Sequence, residues 1–143
     1  MLRQLVFGGA VSLANIAAHA AAMALVIGTA RTVAAKWTSA TTVHLAAVMM
    51  ATAAVLMMAH TCEIAIWSLG YALVDATPET SDRLYFAFVN FTTLGYGDIV
   101  PVPRWRLLGP MTAMNGVLLF GWSTAVIFEV LRSTLQNAKA PPP

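Results

Sequence analysis

The sequence predicts an all-α integral membrane protein with three membrane-crossing helices, one short helix and one non-helical loop. Three observations carry that prediction. Of the 143 residues, 59% are hydrophobic and only 10% are charged, which cannot supply the polar surface a soluble domain needs. Three apolar runs are each long enough to span a bilayer, for which about 20 residues suffice. Between the second and third runs lies Thr92-Thr93-Leu94-Gly95-Tyr96-Gly97-Asp98, a poor transmembrane helix and a poor soluble turn. The formal net charge of +2 comes from scattered basic residues, so nucleic acid is not an expected partner. The lone Cys62 excludes an internal disulfide and any cysteine-built metal site, and is expected to be a small buried hydrophobe.

Residues 1–40 form the first predicted unit, an N-terminal membrane helix and a short polar connection. The run from Leu5 to Ala30 is broken only by Ser12, Asn15, His19 and Thr29. Its basic start at Arg3 and the small-x-small triplet Ala18-His19-Ala20 also resemble a signal peptide. Asn15 and His19 lie four apart and share one helix face, which is expected to pack on a neighbouring helix. Arg31, Lys36, Trp37 and Ser39 mark the connection, with Trp37 suited to the membrane interface.

The second apolar run, residues 41–74, carries His60 and Glu63 deep within it. Ionisable groups at that depth are costly, and normally face protein or water and find a partner. Either these two pair with each other, or Glu63 serves the glycine-bearing loop. Asp75, Pro78, Glu79 and Asp82 read as a polar loop, with Pro78 barring continuation of the helix and Thr80 or Ser81 as N-cap. Residues 82–92 read as a short aromatic helix with Tyr85, Phe86, Phe88 and Phe91, too short to cross. Ile99-Val100-Pro101-Val102-Pro103 cannot be helical, and Arg104-Trp105-Arg106 is an interfacial anchor. The third long helix is predicted over residues 107–131, with Pro110 in its first turns. Residues 133–143 end in three prolines and are expected to be a short disordered tail, with no folded ligand-binding domain.

The chemistry of the loop follows from its glycines. A monovalent cation crossing a membrane must exchange its water shell for near-equivalent oxygens. Backbone carbonyls can supply them where glycine permits φ values that other residues resist. Gly95 and Gly97 give that freedom, Tyr96 can brace the strand, and Thr93 adds a hydroxyl oxygen. One chain offers too few oxygens to surround an ion, so several copies must converge on an axis. Non-helical backbone at membrane depth is allowed only where it lines a watery cavity or is buried in protein.

On these residues the chain resembles the tetrameric potassium channel pore family, whose order is outer helix, pore helix, selectivity filter and inner helix. The resemblance covers about residues 41–132, with the outer helix at 41–74, pore helix at 82–92, filter at 93–98 and inner helix at 107–131. The usual Thr-Val-Gly-Tyr-Gly-Asp appears as Thr93-Leu94-Gly95-Tyr96-Gly97-Asp98. The resemblance implies K+ bound by the carbonyls of Thr93, Leu94, Gly95 and Tyr96, with Thr92 ending the pore helix and Asp98 at the outer mouth. It implies a homotetramer in the plasma (inner) membrane, multi-pass, with no cofactor beyond the permeant ion. Gly116 and Gly121 fall where an inner-helix hinge is expected, close helix packing being the other reading. Glu129 stands near the inner mouth, either in a ring of carboxylates or paired with Arg132.

Three departures from the family pattern stand out. Leu94 replaces valine behind the filter, and Val100 replaces an aromatic just outside it. Val89 stands where several members carry a glutamate that partners the filter aspartate. Asp98 is therefore expected to use Tyr85, Trp105 or Glu63, with Glu63 packed behind the pore helix.

Basic residues split four and four across the expected topology, Arg31, Lys36, Arg132 and Lys139 against Arg3, Arg83, Arg104 and Arg106. The positive-inside rule does not decide; the filter does, placing the N-terminus outside and making residues 1–30 an extra helix. No helix carries the regular arginines of a voltage sensor. His44, His60 and Glu63 form no recognisable catalytic or metal set, so an enzyme is not expected. The leading expectation is a passive potassium-selective channel. A weakly selective cation channel and a non-conducting scaffold or accessory subunit are the other readings.

Overall fold

A computed structural model describes residues 1–36, 42–78 and 83–137. Its helices are α1 (Leu2–Lys36), α2 (Thr42–Leu73), α3 (Arg83–Phe91) and α4 (Leu108–Asn137), with a 3-10 turn at Pro103–Trp105 just before α4. Among the described residues there is no strand. Leu2–Ala30, Thr42–Leu73 and Pro103–Gln136 are each long and apolar enough to cross a membrane. The all-α membrane architecture read from the sequence is the one observed.

Two boundaries differ from expectation. α1 continues to Lys36 rather than yielding to a connection at Ala30, because alanine-rich sequence with no proline or glycine after Gly28 favours helix. α4 continues to Asn137, so residues 133–137 belong to the helix and not to the tail. Thr134 is buried and returns its hydroxyl to the Val130 carbonyl at 2.7 Å, and the prolines that stop a helix come only at 141–143. Trp37, the N-cap candidates Thr80 and Ser81, and the final residues 138–143 lie outside the described residues.

α2 ends before Pro78 can act on it. Ala76 N–H donates to Tyr71 O at 3.0 Å and Asp75 N–H to Ala72 O at 3.4 Å, with Asp75 at φ 47°. That pair of bonds around a left-handed residue satisfies the last carbonyls of the helix. Asp75 is fixed there by Arg83 at 2.8 Å, which joins the end of α2 to the start of α3. At the other junction, the Gln4 side-chain oxygen accepts from Leu107 N–H at 2.8 Å, so α1 caps the first turn of α4. The N-terminal end of α1 thus lies at the loop end of the molecule, beside Arg104 and Trp105.

Helices in a bilayer gain little from the hydrophobic effect between themselves and rely on close packing and interhelical hydrogen bonds. One core joins Trp67, Tyr71 and Ile64 of α2 to Phe86 and Phe91 of α3 and Leu108 and Leu119 of α4. A second, at the opposite end, joins Met23 and Val26 of α1 to Leu56 of α2 and to Val126 and Val130 of α4. Polar contacts are set into the first core. The Asn15 amide meets Asn115 Oδ1 at 2.9 Å, and Trp67 Nε1 donates to the same oxygen at 2.9 Å. Tyr71 and Thr112 share a hydroxyl contact. The shared face expected for Asn15 and His19 is therefore a packing face, and both side chains are buried.

Candidate functional site

The loop after α3 is built from backbone sign changes. Thr93 has φ 61°, Gly95 φ 57° and Gly97 φ 77°, while Asp75 and Thr93 are the only non-glycine residues at positive φ among those described. From Thr93 to Asp98 the sign of φ therefore alternates residue by residue. In an extended strand successive carbonyls point to opposite sides; alternating that sign turns them toward one side. Glycine takes the left-handed region without a Cβ penalty, and every second position here is glycine except Thr93. The start of the loop is tied to α3: Thr93 N–H donates to Asn90 O at 2.9 Å and Gly95 N–H to Val89 O at 3.2 Å. Thr92 adds its own bonds to Phe88 O, from N–H at 3.0 Å and from Oγ1 at 2.7 Å. Residues 92–98 are all exposed in a single chain, Leu94 by 55% and Tyr96 by 68%.

α4 braces the loop from behind. A Cβ built on Gly116 would lie 2.0 Å from the Phe91 carbonyl oxygen, so α4 crosses the end of α3 at backbone contact. Close packing, one of the two readings of Gly116, is what the chain shows there. A Cβ on Gly121 would meet nothing within 4 Å. Between α3, the loop and α4 lies a cavity of about 220 Å³, lined by Phe86, Val89, Asn90, Ile99 and Pro110 among others. Val89, where a glutamate was to be looked for, is part of this mostly apolar wall.

A family model described as an ion channel matches residues 45–133. The chain belongs to that ion channel family. The match takes in α2, α3, the loop and most of α4, and leaves α1 outside it. No curated protein and no solved structure matches.

In this ion channel two of the expected supports of Asp98, Glu63 and Trp105, have other partners. Glu63 is 1% exposed and both its carboxylate oxygens are taken: Oε1 lies 2.7 Å from His19 Nδ1 and Oε2 lies 2.8 Å from His60 Nδ1. Its pairing with His60, one of the two readings, is present; a position serving Asp98 is not. The reason is helix rotation, since residue 63 faces α1. Trp105 packs its ring on Phe7, centroids 5.7 Å apart, and so anchors α1 to the segment after the loop. Asp98 itself is exposed.

Toward the other end of the channel, Glu129 lies 3.5 Å from Arg132 and accepts from Ser133 at 3.3 Å, so the local ion pair expected as one reading is formed. Asn115 is buried against Asn15 and Trp67. The sequence reading missed the role of His19 and of Ser123, whose hydroxyl lies 3.0 Å from His60 Nε2. The i,i+3 spacing of His60 and Glu63 was the visible half of that signal. The other half comes from a helix 44 positions away.

Proposed function

We propose that the chain is a passive potassium-selective channel of the plasma membrane, conducting through a Thr-Leu-Gly-Tyr-Gly filter assembled from four copies. The alternation of φ sign at Thr93, Gly95 and Gly97 carries this reading, because it gathers consecutive carbonyls into a row that can replace hydration water. α3 supports it by aiming its C-terminal end, the negative end of its dipole, at the start of that row. Exposure of the loop in one chain supports the assembly: bare non-helical backbone does not persist at membrane depth, and further copies around an axis would cover it. A weakly selective cation channel is the second reading, favoured by Leu94 in place of valine behind the carbonyl row. A reversal potential that tracks the potassium gradient supports the first, and one that ignores it the second.

Gly95→Ala tests the assignment. The added methyl has room, its nearest neighbour being Thr93 O at 3.9 Å, but φ is +57°, where an L side chain costs roughly 1–2 kcal/mol. Four copies multiply that cost around one axis. Potassium flux into liposomes is expected to fall to the empty-liposome level while the oligomer stays intact by size. Undiminished flux would remove the loop from the permeation path.

The same reading orients the molecule. Met1, Arg3 and Gln4 border Arg104 and Trp105, so the N-terminus shares the side of the loop end. A tag at Met1 is expected to be labelled by an impermeant reagent on intact cells. Labelling only after permeabilisation would invert the topology.

A further inference from the structure

Glu63, His19 and His60 form a buried set within the membrane-crossing helices, away from the permeation loop. Each pair of facing atoms is close, and the available donor atoms of the three residues all lie within 4.8 Å of one another. The groups packed around them are few in kind. α1 supplies His19, α2 supplies His60 and Glu63, α4 supplies Ser123 and the rings of Phe120 and Trp122, and α3 supplies the ring of Phe91. The ion pairs that Glu63 makes are with the two histidines. A carboxylate in an apolar interior is expensive unless positive charge stands beside it. A cation at the set removes that cost.

Two details fit a metal ion as that cation. Ser123 holds His60 through Nε2 at 3.0 Å, leaving Nδ1 directed at Glu63; an outer hydrogen bond of this kind is what orients an imidazole ligand. His19, 0% exposed, also turns its Nδ1 to Glu63, at 2.7 Å, so both imidazoles present a nitrogen to the same carboxylate. Two imidazoles and one carboxylate are a donor set suited to zinc. Calcium and magnesium prefer all-oxygen sites. We propose that His19, His60 and Glu63 bind one divalent transition-metal ion of the zinc class per chain, tying α1 to α2 beside the inner helix α4. Ligand atoms around a tetrahedral zinc stand roughly 3.4 Å apart. The present 2.7 and 2.8 Å contacts therefore open slightly on binding, by side-chain rotation, with water completing the shell.

The test uses full-length purified protein in detergent, its affinity tag removed, stripped with chelator and titrated with Co2+. One Co2+ per chain is expected, with the visible absorption bands of four-coordinate cobalt, no thiolate charge-transfer band from Cys62, and displacement by Zn2+. Ser123→Ala weakens binding by roughly 10–100-fold; His19→Ala and Glu63→Gln, which remove or neutralise a donor, weaken it by more. His44→Ala leaves it unchanged. Absence of stoichiometric binding to the wild-type protein overturns the proposal, as does binding retained in both His19→Ala and Glu63→Gln. Where those variants do not fold, the wild-type spectrum decides, and a six-coordinate or thiolate-type spectrum overturns it. None of these readouts depends on ion flux, so a failed metal site and a failed channel assignment are told apart.

Discussion

Gly116→Ala is expected to destabilise the pore unit by about 3 kcal/mol or more, at the upper end of overpacking costs, and to abolish ion flux. The methyl group would stand 2.0 Å from the Phe91 carbonyl oxygen and 2.9 Å from its carbon. Both are backbone atoms and cannot swing aside, so α4 must separate from the end of α3. Phe91 lies two residues before Thr93, and the displacement passes straight into the carbonyl row. Thermal unfolding of purified protein, followed by flux in liposomes, measures both effects. Gly121→Ala is the matched control: it meets nothing within 4 Å in its own chain and removes a helix-interior glycine, worth up to about 1 kcal/mol. If Gly121 is the hinge, Gly121→Ala changes opening without lowering the melting temperature. Equal behaviour of the two variants would mean that contact with Phe91 is not what matters at Gly116.

Glu63→Ala, in chelator-treated protein, is expected to cost about 1–3 kcal/mol for each buried imidazole left without its acceptor. Two imidazole nitrogens, Nδ1 of His19 and of His60, lose their acceptor at once. Replacing all three residues with apolar ones of similar volume, as in His19→Leu/His60→Leu/Glu63→Leu, is expected to recover most of that stability, since no imidazole is left unpaired and only the Ser123 hydroxyl loses a partner. Melting temperatures of wild type, single and triple variants read this directly. A triple variant as unstable as Glu63→Ala would assign the loss to packing rather than to the unpaired nitrogens.

The parts of this channel legible in the sequence are those determined locally. Seven consecutive residues carry the loop, and the glycines at 95 and 97 already imply the alternation of φ sign that the backbone shows. Hydropathy alone located three spans, because length and composition suffice for that. Rotation of the helices was not legible. α2 is apolar on nearly every side, so nothing in its pattern says which face meets protein and which meets lipid. Glu63 could therefore be assigned to Asp98 as easily as to His19. Asn15 with Asn115 and Gln4 with Leu107 are contacts across 100 and 103 positions, and one chain without its fold contains no signal that pairs them. The two readings of Gly116 likewise differ only in what stands opposite it.

The contact between Gln4 and Leu107 sets an order for biosynthesis. α1 is synthesised first and α4 last, yet α1 lies more extensively against α4 than against α2. Until the final span is inserted, Asn15 lacks Asn115, and the Gln4 oxygen has no amide to accept from. Two of the contacts of the first helix therefore wait for the segment from Leu107 onward. A ribosome stalled before residue 107 leaves Gln4 and Asn15 without these partners, while His19 already faces Glu63 of α2.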